Sequence, residues 1–223
     1  MLRTILAVSW EQRQVMGKKM KQQKSSKMKD KRVSGNIFYH MVNPLTTIER
    51  SVLEVFFAYP NTLFTVREVS RLRKITHPTV ARCLQTLNKL KVVVGVSQKN
   101  KTGVWNNILW KANTSDERYK QRKKMFNLEQ LYCSGIIEKI ASDTSPNAIV
   151  LFGSYRRGED MEESDIDLFV VSKEKKITLN GFEKKLHRKV NLTFETNPAA
   201  LNKEFLNNII NGIVLYGYIE VIK

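Results

Sequence analysis

Cysteine and histidine are scarce in this chain, with two and three residues among 223. The cysteines, Cys83 and Cys133, and the histidines, His40, His77 and His187, lie far apart in unrelated contexts. This distribution excludes a disulfide framework and shows no cluster with the spacing of zinc ligands. Isolated thiols are typical of a reducing compartment, so we expect a cytoplasmic protein.

Long apolar runs are also missing. No run approaches the roughly 18–20 residues that a membrane-spanning helix needs, so we expect no membrane partner. The short apolar patch in "MLRTILAVSW" is followed by "KKMKQQKSSKMKDKR" and not by a small-residue cleavage site, which argues against a secretory signal.

Acidic residues are rare in the first half of the chain, and this accounts for nearly all of the formal net charge of +17. Residues 1–36 carry ten Lys or Arg against two acids, and residues 46–113 carry eleven against three, whereas residues 114–223 carry seventeen against sixteen. Positive charge distributed in this way favours a polyanion partner, most simply DNA or RNA. The alternative is a solvated lysine-rich surface.

Residues 1–36 are rich in Lys, Gln, Ser and Met and have little periodic apolar content. This composition predicts a disordered basic arm. An alternative is that translation begins at a later methionine, for instance Met41.

Three helix patterns followed by two strand patterns occupy residues 46–113. The helices lie in "TTIERSVLEVFFAYP", "TVREVSRLRK" and "HPTVARCLQTLNKLK", where Pro78 suits a first helical turn. The strands "VVVGVSQ" and "VWNNILWK" flank the turn "KNKTG". The apolar positions at helical spacing are Ile48, Val52, Val55 and Phe56, then Val66, Val69 and Leu72, then Val80, Cys83, Leu84, Leu87 and Leu90.

This order of elements resembles the winged helix-turn-helix family, which implies a DNA-binding domain whose third helix contacts the bases. The solvent face of that helix carries donors and acceptors able to address base edges in the major groove, namely Thr79, Arg82, Gln85 and Lys89. Lys99 and Lys101, at the tip of the hairpin, are placed to meet phosphates. We expect double-stranded DNA as the partner, and the alternative is a winged helix used for dimerisation or as a spacer.

Residues 114–144 are predicted to form helices that connect the two halves of the chain. Their apolar positions are Leu128, Leu131, Ile136, Ile137 and Ile140. We interpret the basic cluster Lys120 to Lys124 as a solvated helix face, with contact to nucleic acid as the alternative.

The stretch "LFGSYRRGEDMEESDIDLFVV" (residues 151–171) places two aspartates at an apolar strand. Gly153 permits a sharp exit from the preceding strand, and Ser154 stands where the next helix begins, so that backbone N–H groups can bind phosphate. Asp165 and Asp167 share a strand face, separated by about 6–7 Å at the backbone. Because carboxylates on one face repel each other, a hard divalent cation such as Mg²⁺ is the usual solution. Two such ions would clamp an in-line phosphoryl displacement.

Gly153-Ser154, nine residues and then Ser164-Asp165-Ile166-Asp167-Leu168 resemble the signature of the polymerase-beta nucleotidyltransferase superfamily, in particular its minimal archaeal and bacterial members. The resemblance extends over about residues 145–218. It implies that an acceptor hydroxyl attacks the α-phosphate of an NTP and releases pyrophosphate. It also implies that Asp165 and Asp167 are catalytic and bind the metal ions of a two-metal Mg²⁺ site, and that the nucleotide is bound by Gly153, Ser154, Arg157 and Ser164.

Members of that superfamily usually carry a third carboxylate on a later strand, and the matching position in "KVNLTFET" is Asn191. An amide offers Mg²⁺ one neutral oxygen and cannot take a proton from the nucleophile. Glu195 shares the strand face of Asn191 but lies four residues along, roughly 13 Å away, and is a poor substitute.

We therefore expect an α/β (α+β) protein. An N-terminal winged-helix domain (residues 46–113) and connecting helices (114–144) precede a small polymerase-beta-like nucleotidyltransferase domain (145–223) with a mixed sheet and flanking helices. The expected function is Mg²⁺-dependent transfer of a nucleotide from an NTP to an acceptor hydroxyl, by an enzyme that its winged-helix domain tethers to nucleic acid.

Two alternatives stay open. One is a DNA-binding transcriptional regulator whose nucleotidyltransferase fold binds nucleotide or a partner without turnover. The other follows from the superfamily resemblance and is an antitoxin-like protein paired with an RNase toxin. A second copy of the chain is a further candidate partner.

Overall fold

A computed structural model describes residues 44–99 and 105–220. Apart from Pro44 and Leu45, these residues belong to the second of the two units into which the chain divides, Met1–Leu45 and Thr46–Lys223. The arm predicted at residues 1–36 lies outside the described residues, as does Lys101.

The helices and strands of the second unit follow one another in this order: α1 (Thr47–Ala58), α2 (Val66–Arg73), α3 (His77–Lys89), β1 (Val93–Lys99), β2 (Trp105–Ala112), α4 (Glu117–Ser134), α5 (Ile136–Thr144), β3 (Ala148–Phe152), α6 (Gly153–Arg157), β4 (Ile166–Val170), α7 (Asn180–Leu186), β5 (Val190–Phe194), a 3₁₀ turn (Pro198–Ala200), α8 (Lys203–Ile210) and β6 (Ile213–Gly217). We call residues 46–112 the helix–hairpin region.

The first three helices begin at sequence signals for a helix N-terminus. Thr46 and Thr65 accept hydrogen bonds from the backbone N–H groups of Glu49 and Glu68, and each glutamate side chain accepts one from the threonine N–H in return. Helix α3 has Pro78 in its first turn, where no intrahelical N–H bond is needed. The helices therefore lie where their sequence patterns predict them.

The helix–hairpin region is built around an apolar core. Its fully buried side chains are Val52, Leu53, Phe56, Val69, Val80, Leu84, Leu87, Val92 and Val93. Strands β1 and β2 pair antiparallel, and Phe64 bridges to Trp110 of β2. Two predicted core positions face solvent instead, since Ile48 is 46% and Leu72 54% exposed. Both lie in an end turn of their helix.

Helix α4 joins the helix–hairpin region to the C-terminal sheet. On one side, its Tyr119 and Phe126 rings pack against Phe57 of α1, with ring centroids 5.5 and 5.2 Å apart. The Tyr119 hydroxyl also donates a hydrogen bond of 2.9 Å to the carbonyl of Phe56. The helix ends at Gly135, which has a φ of +81° and separates α4 from α5. These contacts make α4 a packed element of the second unit.

The C-terminal sheet has the strand order β5-β4-β3-β6. Strand β3 pairs antiparallel with β4 and β6, whereas β4 and β5 run parallel, so the sheet is mixed, as predicted. In this register Phe152, the last residue of β3, stands opposite Asp167, and Asp167 stands beside Asn191. The sheet thus brings together residues from three separate parts of the chain.

Helices cover both faces of this sheet. Ile166, Leu168 and Val170 belong to a core shared with α4, α5 and α7, whereas Phe169 packs with Phe205 and Ile209 of α8 on the other face. Since side chains alternate along a strand, Asp167 lies on the same face as Phe169. Among the described residues, no helix has both the length and the apolar character needed to cross a bilayer.

Candidate active site

The chain turns sharply where β3 ends, and we call residues 153–160 the Gly153–Asp160 turn. Gly153 has a φ of +74°, and Gly158 ends the short helix α6 with a φ of +70°. A Cβ at Gly153 would lie 2.3 Å from Oδ2 of Asp167, and a Cβ at Gly158 would lie 2.2 Å from the carbonyl oxygen of Lys120. The two glycines therefore allow the turn to approach a carboxylate on one side and helix α4 on the other.

Asp165 and Asp167 converge on one side chain. The Asn191 amide nitrogen donates to Asp165 Oδ2 at 3.1 Å and to Asp167 Oδ1 at 3.3 Å. Strand β4 begins at Ile166, so the prediction that both aspartates lie within the strand is wrong for Asp165, which is the residue before it. The two carboxylates nevertheless point the same way, as their hydrogen bonds to one amide nitrogen show.

Asn191 occupies the place between the carboxylates for which we expected a cation. Its N–H groups partly offset the repulsion between the two anions, and rotation of the amide would present its oxygen there instead. Among the described residues, no group of three or more His, Cys, Asp or Glu side chains is arranged to hold a metal ion. The available donors are two carboxylates and one amide oxygen. All are hard ligands of the kind that Mg²⁺ takes, so the residues fit this ion.

Two other predicted nucleotide-binding residues, Ser164 and Ser154, directly adjoin Asp165 and Gly153 along the chain. Ser164 closes the turn before Asp165, since its hydroxyl accepts a hydrogen bond of 2.8 Å from Met161 N–H. The half-exposed Ser154 lies in α6 next to Gly153.

Arg157 has a partner within the turn. Its guanidinium donates a hydrogen bond of 2.7 Å to Glu159, and Lys120 of α4 donates one of 2.9 Å to the same carboxylate. These two bonds hold the pKa of Glu159 below its ordinary value. Arg157 would therefore have to exchange a carboxylate for a phosphate in order to contact a nucleotide.

Glu195 forms a local hydrogen bond in the turn after β5. Its carboxylate accepts a hydrogen bond of 2.9 Å from Asn197 N–H, and this bond lowers the pKa of Glu195. It stabilises the turn after β5 and does not replace the missing third carboxylate.

An open cleft of about 630 Å³ adjoins Asp165. It is lined by residues 162–165 on one side and by α7 and the following residues, including His187 and Lys189, on the other. The cleft gives a second molecule access to the carboxylate of Asp165.

A buried polar cluster, not predicted from the sequence, lies behind the turn. Lys123 of α4 is 1% exposed and Asp160 is 2% exposed, and Lys123 Nζ lies 3.2 Å from Asp160 Oδ2. The interpretation of Lys120 to Lys124 as a solvated face is therefore wrong for Lys123. No local sequence pattern predicts this pairing, because it depends on the docking of α4 against the turn.

The predicted DNA-binding side chains form part of the surface of α3. Arg82, Gln85 and Lys89 are exposed, and Thr79 is half-exposed with its hydroxyl 2.9 Å from that of Thr76. Neither Arg82 nor Lys89 has an ion-pair partner among the described residues. Lys99 is the last residue of β1, and its side chain, like the whole of Lys101, lies outside what the structure describes.

Comparison with known proteins identifies the C-terminal part of the chain. Residues 135–220 match the family model described as polymerase beta, nucleotidyltransferase, so α5 to β6 form a domain of this type. No curated protein matches the chain. Among solved structures, one described as a possible transcriptional regulator from Methanosarcina mazei Go1 is similar, with 16% identity and a TM-score of 0.32, over 49% of this chain and 87% of that chain.

Proposed function

We propose that this protein is a Mg²⁺-dependent nucleotidyltransferase that moves a nucleotide from an NTP to an acceptor hydroxyl while its N-terminal half binds nucleic acid. One observation carries the proposal. The carboxylates of Asp165 and Asp167 converge within reach of one amide, directly against the glycine turn that follows β3. This geometry is what a protein needs to hold a metal ion next to the phosphates of a nucleotide.

Each residue has a role that follows from its position. Asp165 and Asp167 would hold Mg²⁺, which when bound neutralises the phosphates and stabilises the charge that develops during transfer. Gly153 lets the backbone N–H groups of the turn approach the phosphates, and Ser154 offers a hydroxyl donor there. The acceptor enters through the cleft beside Asp165, where its hydroxyl lies close to the carboxylates.

Asn191 limits the rate of this reaction. An amide cannot accept the proton that the attacking hydroxyl must lose, so the proton leaves to solvent or to the nucleotide's own phosphate oxygens. We therefore expect slow transfer of one or a few nucleotides rather than rapid polymerisation.

The helix–hairpin region, on this proposal, is a winged helix that binds double-stranded DNA. Helix α3 is exposed along the face of Arg82, Gln85 and Lys89, and within residues 44–99 and 105–220 neither Arg82 nor Lys89 has an acidic partner to give up. By contrast, Arg73 of α2 is paired with Glu54 at 2.5 Å and serves the packing of this region. Unpaired cations on one exposed helix are suited to phosphate and base contacts in the major groove.

The test of the enzyme is transfer of label from each of four α-³²P-labelled NTPs, with Mg²⁺, to RNA, to DNA and to the protein itself. The full chain should label one of these acceptors. Asp165→Asn and Asp167→Asn should each lose the activity, because each removes one of the two negative charges. Glu174→Gln is the matched control, since Glu174 is an exposed carboxylate after β4 that does not line the cleft beside Asp165.

A regulator without turnover is the second candidate, and Asn191 favours it. The amide ties the carboxylates together without a third negative charge, which suits binding of a nucleotide better than proton abstraction. If the wild-type chain binds Mg²⁺·NTP in a calorimeter but labels no acceptor, the enzyme is excluded. The regulator then predicts that NTP changes the affinity of the chain for DNA.

A further inference from the structure

Helix α4 lies outside the part of the chain that matches the nucleotidyltransferase family, yet it supplies buried polar side chains to the Gly153–Asp160 turn. Lys123 donates a hydrogen bond to the backbone carbonyl of Asp160 and forms an ion pair of 3.2 Å with its carboxylate. Arg188 approaches the same carboxylate at 3.6 Å. Since neither Lys123 nor Asp160 is exposed by more than 2%, this pair is desolvated.

Asn127 binds the turn at two points. Its amide nitrogen, on a side chain 2% exposed, donates to the carbonyl of Tyr155 at 2.9 Å and to Asp160 Oδ1 at 2.8 Å. One side chain of α4 thus connects the middle of α6 to the end of the turn. Gly158, between those points, packs so closely that a Cβ would lie 2.9 Å from Lys124 N.

The energetics of these contacts point to positioning rather than to stability. Replacing a buried ion pair with apolar side chains of similar size is often neutral or stabilising, so a desolvated lysine is a poor way to hold a helix in place. Apolar side chains of α4, such as the fully buried Leu131, already provide packing against the sheet. The polar side chains add direction, because a hydrogen bond specifies where its acceptor lies.

We propose that Lys123 and Asn127 are positioning residues of the nucleotide site, and that they fix the Gly153–Asp160 turn at the distance from Asp167 that phosphate binding requires. This proposal rests on the proposed function, because the turn is the element expected to bind the phosphates. It extends the site to a helix that the family match does not include.

The experiment uses two variants of the full chain, Asn127→Ala and Lys123→Met. Lys124→Met removes the neighbouring charge on the same helix and is the charge control. Leu131→Ala destabilises the same helix through its apolar side and is the stability control. Affinity for Mg²⁺·ATP is measured by calorimetry and the free energy of unfolding by urea, at a temperature where all variants are folded.

We expect Asn127→Ala and Lys123→Met to weaken Mg²⁺·ATP binding at least tenfold. Lys124→Met should bind as the wild type does, and Leu131→Ala should bind as the wild type does even when it loses as much stability. If Leu131→Ala loses affinity in step with its stability, or if the two α4 variants bind within twofold of the wild type, the positioning role is overturned. Should one of the two variants fail to fold, the other decides.

Hydrogen exchange provides a readout that needs no nucleotide. In the two variants, amides of residues 154–159 should exchange at least tenfold faster, while amides of β3 and β4 keep their protection. Unchanged exchange in the turn would overturn the proposal and leave the proposed function standing. A wild-type chain that binds no NTP would overturn the proposed function, and the exchange measurement would still decide whether Lys123 and Asn127 hold the turn.

Discussion

Substitution of Gly153 by alanine should change the free energy of unfolding only modestly while it disturbs the position of Asp167 in the site. The residue has a φ of +74°, so alanine there costs about 1–2 kcal/mol in the left-handed region. The new Cβ would also stand 2.3 Å from Oδ2 of Asp167. That atom is the end of a partly exposed side chain, so the carboxylate can rotate away without moving the backbone. We therefore expect a folded protein, less stable by about 1–2 kcal/mol, whose Asp167 no longer faces the site.

Gly158→Ala is the matched comparison, and we expect it to lose more stability than Gly153→Ala. The φ of Gly158 is +70°, so the conformational cost is the same, but its Cβ would meet backbone atoms of α4, with Lys120 O at 2.2 Å. Backbone cannot rotate away, so overpacking adds about 1–3 kcal/mol. Gly181→Ala, in α7, is the control, because the added carbon meets no atom of the described residues within 4 Å.

Urea denaturation gives the free energy of unfolding, and calorimetry gives the affinity for Mg²⁺·ATP. Gly153→Ala should lose at least tenfold in affinity with a modest loss of stability, whereas Gly158→Ala should lose more stability than Gly153→Ala. A Gly153→Ala variant that binds Mg²⁺·ATP as tightly as the wild type would refute the reasoning, because Asp167 would then have no part in the binding.

Three further outcomes are expected. Asn191→Asp, which replaces a hydrogen-bond donor by a third carboxylate, should lower the melting temperature in EDTA and increase the rise in melting temperature that Mg²⁺ produces. Arg82→Ala and Lys89→Ala should each weaken binding to duplex DNA and lower the slope of log K against log salt by about 0.9 per lost phosphate contact, measured by fluorescence anisotropy. Burial raises the pKa of the Tyr119 and Tyr155 hydroxyls above the ordinary 10.0. The contribution of the two protonated hydroxyls to the free energy of unfolding is therefore complete below about pH 10 and is lost as the pH rises further. Urea titration should show a loss of up to about 1.4 kcal/mol per pH unit for each tyrosine.

Each of these outcomes has its own control. For the metal site, Asp167→Asn should abolish the response to Mg²⁺, and an Asn191→Asp variant with no greater response than the wild type would contradict the role of this position. For DNA, Arg50→Gln removes a cation already paired with Glu129 and should leave the salt slope unchanged. For the alkaline range, Tyr155→Phe should remove the share of the stability loss above pH 10 that Tyr155 contributes. An unchanged pH profile would contradict the burial of Tyr155.

Local sequence signals were sufficient for much of the fold. The apolar spacing along α1, α2 and α3 predicted the helices of the helix–hairpin region, because this signal acts within one or two helical turns. The mixed α+β character of the C-terminal part and its nucleotidyltransferase type were also predicted correctly, from Gly153-Ser154 and the two aspartates. The DNA-binding assignment of α3 stays a prediction.

Long-range packing decided what the local signals left open. Lys123 stands in a run of charged residues that is solvated by any local criterion, and only the docking of α4 against the turn buries it beside Asp160. Asn191 matched a family position from its spacing, but its bonds to both carboxylates depend on the pairing of β4 with β5. Spacing along the chain is thus enough to predict candidate site residues. Which partners those residues meet follows from contacts between segments 20 or more residues apart, such as Asp167 and Asn191, and these are settled only when helices and strands pack.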